Sequence, residues 1–384
     1  MKSNFVVLSL MKARPSALLA RSPLLLVPIA MLAAALQVNP PLVFVLAFVA
    51  LIPLAHLLAE STEILAIHTG PRIGGLLNAT FGTLTEFIVM YALLRAGHID
   101  LLKASIVGSI LISLLFTLGA AILFGGIRNG MQRFDQQSVG LATTTMILAV
   151  VGLMVPTFFS AVTQRQENLI YDPGFQTEAV DKLSQAVAVI LFLLYMLTVV
   201  YQLRAREGEE LTQKPSAIRD PEQPGWSLRG AIGILIAATL AIAVLGEIIS
   251  QFVGPFGSSL GVTYLFVGAV ILPVAGAVSE LLVCVRMARN NQVNLAISIP
   301  MNGALQVSLF VAPLLVFLSA LGPTPLTLSF GVSEVMAVAI AVALAAYEAI
   351  DGVTNWLEGA QLLALWGMLA LWFYFFQPWP HAVR

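Results

Sequence analysis

Two glutamates sit inside apolar sequence: Glu86 in GTLTEFIVMY and Glu280 in GAVSELLVCV. Each stands four residues after a glycine, Gly82 and Gly276. On a helix, a residue and its i+4 neighbour share a face. In each segment the glycine and the carboxylate therefore stack, and the glycine lets a neighbouring helix come close. An ionised carboxylate at the centre of a bilayer costs at least ~2.5–3.5 kcal/mol, and two that face each other add mutual repulsion. A divalent cation removes both penalties, and so do protons. Such a site accepts either load and is poor when empty and charged, which is the physical basis of antiport. Ca2+ suits it, since that ion takes about 6–8 oxygens at ~2.3–2.6 Å from carboxylates, carbonyls and hydroxyls.

Further oxygens lie close by in the sequence. Thr83 and Ser279 flank the glutamates, and the carbonyls of Asn78 and Phe81 precede the first of them, completing a metal set with Glu86 and Glu280. Pro273 removes an amide donor and frees a carbonyl one turn before Gly276. A second group of polar residues follows one helix later: Ser109 and Ser113 in the first segment, Asn302 and Gln306 in the second. Glu63, Glu247, Glu60 and His56 form a flanking acidic set able to pass protons, although Glu60 and Glu63 also fit a helix end at the membrane interface. Hydroxyls in such helices also bond within their own helix or join helices. No His/Cys cluster suited to zinc or copper is present. There is no H-E-x-x-H helix and no P-loop, so no catalytic residue is assigned. An intramembrane hydrolase stays a distant alternative, and no cofactor is called for beyond the transported cation and proton.

The elements that must hold these residues are membrane helices. Of 384 residues, 59% are hydrophobic and 10% are charged, against about 25% charged in a soluble domain; lipid is the solvent this surface matches. With about 20 apolar residues per span, the chain reads as all-α, with about eleven transmembrane helices at 22–39, 41–65, 72–95, 100–127, 137–162, 178–203, 229–253, 261–289, 292–320, 328–349 and 356–377. The stretch 204–228, rich in charge and proline, reads as a linker that includes the acids at 207–210. This divides the chain into an N-terminal segment with its first helix (1–40), a first half (41–203), the linker (204–228) and a second half (229–384). With the N-terminus in the cytoplasm, most of the 19 Lys and Arg fall on inside segments, the orientation favoured by the positive-inside rule. The expectation is a multi-pass protein of the cell's inner (plasma) membrane. Its partners are an inorganic cation, protons and the lipid bilayer. A net charge of −1 offers nothing to nucleic acid.

The two glutamate segments are copies of each other. A shift of 194 residues, the separation of Glu86 from Glu280, also pairs Gly74 with Gly268, Gly82 with Gly276, Arg95 with Arg289 and Phe116 with Phe310. The copies begin on the third and eighth spans, an odd number of crossings apart, so they thread the bilayer in opposite senses. Inverted repeats with a site near the midplane are a transporter architecture. The predicted fold is one extra helix plus two inverted five-helix repeats.

At these residues the sequence resembles the cation/proton exchanger branch of the calcium/cation antiporter superfamily. The matching text is Pro53-Leu54-Ala55, Thr62-Glu63, GGLLNATFG at 74–82 with Glu86, GSIL at 108–111 and FGG at 124–126. In the second half it is ILPVAG at 271–276 with Glu280, Gln306, LFVAP at 309–313, and DG and NWLEGA at 351–352 and 355–360. The resemblance covers roughly 40–378. It implies cation exchange driven by a proton gradient, with Glu86 and Glu280 as central ligands and Glu63 and Glu247 on flanking helices. The chain departs from the family's Gly-Asn-x-x-Glu in both copies: Thr83 and Ala277 replace the asparagines. Leu281 stands where a histidine is usual, and Ser113 where another asparagine is expected. Fewer amide ligands leave open Na+, K+ or Mn2+ in place of Ca2+.

Overall fold

The computed structural model describes residues 22–165, 173–210, 227–322, 325–348 and 350–376. Most of the linker, including 211–226, and the four basic residues before Ser22 lie outside the described residues. Eleven helices follow in order: α1 (Leu26–Ala35), α2 (Pro40–Phe81), α3 (Leu84–Arg95), α4 (Ile99–Asn129), α5 (Gln136–Arg165), α6 (Pro173–Glu210), α7 (Leu228–Leu260), α8 (Tyr264–Arg289), α9 (Val293–Ser319), α10 (Val332–Glu348) and α11 (Trp356–Phe376). A two-residue ladder, β1 (Gln132–Arg133) with β2 (Val353–Thr354), joins the α4–α5 and α10–α11 connections. Eight helices are long and apolar enough to cross a membrane, and α4 is the most enclosed of them, with 89% of its apolar window buried inside the molecule.

Two expected boundaries are corrected. The spans 41–65 and 72–95 are not separate helices with a loop between them. Helical hydrogen bonding runs from Pro40 to Phe81, and the break falls later, at Gly82–Thr83. Yet α2 is not a rod. Leu51 and Glu86 line the same cavity, whereas the thirty helical residues from 51 to 81 would carry a straight chain about 45 Å away. The chain therefore turns back between Leu51 and Glu86, and the apolar spanning stretch of α2 ends at Thr69. The third span comes in two pieces because glycine is a poor helix interior and Thr83 leaves helical geometry (φ −109°, ψ 18°). The helix before the linker is also longer than expected, since α6 continues through the acids at 207–210.

The repeat is visible in the backbone. α4 widens to π geometry at Ile112–Thr117 and α9 at Val307–Val311, the same positions after the 194-residue shift. The turn after α3 passes through Gly97 (φ +78°) and the turn after α8 through Asn291 (φ +62°), again equivalent. The two copies run in opposite senses. α4 starts beside the α9–α10 connection, where Lys103 Nζ donates to Thr327 Oγ1 (3.0 Å) and Ser329 O (2.6 Å). It ends beside the start of α9, where Asn129 Nδ2 donates to Ala288 O (3.0 Å) and Gln132 Nε2 to Asn291 Oδ1 (3.2 Å). The extended segment before α10 is inside the molecule, with Leu326, Leu328 and Phe330 buried. Its amides are satisfied from neighbouring helices: Phe330 N donates to Thr157 Oγ1 and Leu326 N to Ser319 Oγ, as irregular backbone at membrane depth requires.

These bonds tie α4, α5 and the end of α8 to the α9–α10 and α10–α11 connections. The pair α2 and α7 packs along its length, with Phe44 and Phe256 stacked at 4.1 Å. Among the described residues, and Glu60 aside, the side-chain hydrogen bonds of α2 and α7 close on their own helices.

Candidate cation site

The site forms where α3, α4, α8 and α9 meet near the middle of the molecule. α4 and α8 approach to backbone contact. A Cβ at Gly268 would stand 2.9 Å from Leu101 O, and one at Gly108 would overlap the backbone of Ala269. That closeness lets two carboxylates from different helices share one space. A Cβ at Gly276 would lie 2.8 Å from Glu86 Cγ and 2.9 Å from its Oε1, so the first copy's carboxylate rests on the second copy's glycine. Glu280, one turn further along α8, points toward α9. A Cβ at Gly303 would be 3.4 Å from Glu280 Oε2 and 3.6 Å from Ser113 Oγ. The two carboxylates lie within electrostatic range of each other. Both are crowded by protein yet keep partial access, which places them on a crevice and not in a sealed core.

Beside Glu86 is a small cavity lined by Thr85, Ser105, Ser109, Pro273 and Gly276, with Leu51 of α2 across from them. About 20 Å³ of it is open to the centre of a water-sized body, which is room for one small occupant. Ser109 Oγ is fully buried and lies beside the Glu86 carboxylate, close enough to act on it as a hydrogen-bond donor, though without a well-aligned bond. A hydroxyl and a carboxylate that line one small cavity suit a cation or a water molecule held between them. The narrow fit carries a prediction. Gly276→Ala adds a methyl group that overlaps the Glu86 side chain and must displace that carboxylate, so ion-driven proton release should fall by more than about tenfold while expression and unfolding temperature change little. Normal release from the Gly276→Ala protein would show that Glu86 does not use this position.

The structure brings Glu86, Glu280, Ser109 and Ser113 together. Thr83 is buried at the α2–α3 break, and Ser279 and Phe81 are half-buried beside their glutamates. The side chain of Asn78 lies outside the described residues. Gln306 is buried at the start of the second π segment and Asn302 is half-buried one residue before Gly303. The flanking set does not converge on the cavity. Glu63 and His56 are exposed on α2, and Glu247 is exposed on α7, where Gln251 Nε2 donates to it at 3.3 Å; Glu60 is half-buried and partnered.

Sequence reasoning missed two groups. Ser105 lines the cavity one turn from Ser109; the i, i+4 spacing along α4 was the available signal. Lys103 and the buried Glu334 form a charged group with Asp100 at the other end of α4. They lie at the edges of their spans, where charge is unremarkable in a sequence.

Known proteins with this arrangement can now be compared. A family model described as sodium/calcium exchanger protein matches residues 39–204 and 230–375. A Ca(2+)/H(+) antiporter of Aphanothece halophytica is 36% identical over 363 residues, covering 92% of this chain and 95% of that protein. The Ca(2+)/H(+) antiporter ChaA of Bacillus subtilis (strain 168) is 31% identical over 349 residues, covering 91% and 96%. The structure of native YfkE superposes with a TM-score of 0.75 at 28% identity, over 91% of this chain and 97% of that one. The crystal structure of the H+/Ca2+ exchanger CAX shares the fold, with a TM-score of 0.66 at 17% identity over 92% and 87%. With that match across both halves and the repeated glutamate segments meeting at one crevice, the chain belongs to the sodium/calcium exchanger family, a family of secondary transporters.

Proposed function

We propose that this protein exchanges Ca2+ for protons by alternating access at a single site held by Glu86 and Glu280. The observation that carries the reading is the meeting of two carboxylates, from inversely oriented copies of one segment, on a partly accessible crevice beside a buried serine hydroxyl. Two carboxylates match the charge of one Ca2+ and equally accept two protons, so the loads compete for the same oxygens. Relatives named Ca(2+)/H(+) antiporter support the choice of ions. Thr83, Ser279, Ser109 and Ser113, with the carbonyls of Phe81 and Asn78, supply further oxygens, and Asn302 and Gln306 supply amides from α9. Glu63, Glu247, Glu60 and His56 line the outside of the α2–α7 pair, where they relay protons as that pair moves. The motion is supported by the bonds that tie α4, α5 and α8 to the α9–α10 and α10–α11 connections, whereas among the described residues α2 and α7 make their side-chain hydrogen bonds chiefly to themselves. The N-terminus lies in the cytoplasm and the membrane is the cell's inner one, in keeping with the excess of Lys and Arg on that side.

A second reading keeps the mechanism and changes the ion. The site offers hydroxyls and a methyl group (Thr83, Ser113, Ala277) where the resemblance leads one to expect amides, which favours Na+, K+ or Mn2+. One measurement separates the two. Proton release from purified protein is followed on adding Ca2+, then Mn2+, Na+ and K+. Release by Ca2+ at the lowest concentration supports the first reading, and stronger release by another ion assigns the site to that ion. No release by any of them removes proton-coupled exchange.

A further inference from the structure

The end of the molecule that carries β1 and β2 presents an arginine cluster that the exchange site does not use. Asn129 Nδ2 donates to the carbonyls of Ala288 (3.0 Å) and Arg289 (3.2 Å), and Gln132 Nε2 donates to Ala288 O at 2.9 Å. These bonds join the end of α4 and β1 to the end of α8, so Arg128, Arg133 and Arg289 stand at one end of the molecule, on three segments tied together. In β1, Gln132 points inward and Arg133 outward. All three arginines are exposed, and among the described residues none has a carboxylate within ion-pairing distance. The acids of this end are engaged elsewhere. Asp351 Oδ1 accepts from Val353 N at 3.2 Å, Glu358 Oε1 accepts from Asn355 Nδ2 at 2.6 Å and Asp135 is partnered, while the Glu348 carboxylate is buried without a hydrogen-bond partner and does not reach the surface. Around the cluster the surface is apolar: Ile127 is 65% exposed, Met131 75% and Trp356 52%.

Unpaired guanidinium groups fit phosphate oxygens through two parallel hydrogen bonds. A free phosphate gains nothing from exposed Ile127, Met131 and Trp356, whereas a phospholipid places its acyl chains on them; tryptophan beside arginine at helix ends is also the composition of a membrane interface. We propose that Arg128, Arg133 and Arg289 form a binding site for the headgroup of an anionic phospholipid, which links the first half of the chain to the second at this end. The inference is independent of which ion the exchange site carries.

The test adds phosphatidylglycerol or phosphatidylcholine to the purified full chain in detergent and measures retained lipid by native mass spectrometry. Phosphatidylglycerol is expected to be retained and phosphatidylcholine not. A basic residue near an anionic surface contributes about fivefold in affinity. The triple variant Arg128→Gln, Arg133→Gln, Arg289→Gln should therefore retain phosphatidylglycerol about 100-fold more weakly, and the matching Lys triple should keep most of the binding. If the Gln triple does not fold, each single variant should lose about fivefold. Equal retention by wild-type and Gln variants overturns the proposal, as does equal retention of phosphatidylcholine. Displacement of the lipid by millimolar inorganic phosphate also overturns it, by making the cluster a general oxyanion site.

Discussion

Glu86→Gln and Glu280→Gln are each expected to abolish Ca2+-driven proton movement in reconstituted vesicles, a loss of more than about 100-fold. Removing a mere outer-shell partner of a metal ligand already costs about 10–100-fold, and these two carboxylates are the charge of the site itself. Glutamine keeps the size and most of the polarity of glutamate, so packing around Gly276 and Gly303 survives and the protein folds. One carboxylate remains in each variant, which leaves a single negative charge. Residual binding should therefore move from divalent toward monovalent cations, and proton release per bound ion should drop. Vesicles carrying either variant that still exchange Ca2+ for protons at a wild-type rate would show that the exchange chemistry sits elsewhere.

Gly108→Ala is expected to produce a large loss of stability for a single added methyl group. The new Cβ would overlap the carbonyl, Cα and carbonyl carbon of Ala269, and backbone cannot swing aside as a long side chain can. Overpacking of a core costs about 1–3 kcal/mol when side chains absorb it, and here the two central helices must separate. The unfolding midpoint in detergent should fall by several degrees and transport should fall with it. Gly233→Ala in α7 supplies the control. Nothing lies within 4 Å of its added Cβ, and replacing glycine inside a helix by alanine is favourable by roughly 0.5–1 kcal/mol. Equal midpoints for the two variants would mean that α4 and α8 do not meet in the backbone contact described.

These effects act on features of unequal legibility in the sequence. The paired glutamates were readable because charge is rare in apolar segments and because the two glycine–glutamate units repeat. The opposite threading of the copies followed from counting crossings, and the antiparallel course of α4 and α9 agrees with it. The break at Gly82–Thr83 was hidden by the apolar run on either side, since hydropathy reports burial and not continuity of hydrogen bonding. The return of the chain between Leu51 and Glu86 agrees with two successive spans, whereas the continuous helical hydrogen bonding from Pro40 to Phe81 was not legible in the span boundaries. Glu63 and Glu247 were placed in the flanking set by type and resemblance; the fold leaves them exposed on α2 and α7, because depth along a helix does not specify which face a residue occupies. Lys103 and Glu334 become partners only after α10 has been folded against α4, a long-range contact that no local pattern encodes.

The wide turns in α4 and α9 bear on ancestry. A π turn accommodates one residue more than the α-helix around it, commonly through a one-residue insertion. Here it occurs at matching register in both copies, Ile112–Thr117 and Val307–Val311, with Leu115/Leu309 and Phe116/Phe310 kept and the other aligned side chains changed; a further π segment in α8, Val267–Ile271, is found in the second copy alone among the described residues. Two unrelated insertions at one register are far less economical than a single event, so the extra residue was already present in the ancestral segment before it was duplicated and turned over in the membrane. Sequence drift has since rewritten most of the letters while the helix has kept the surplus residue.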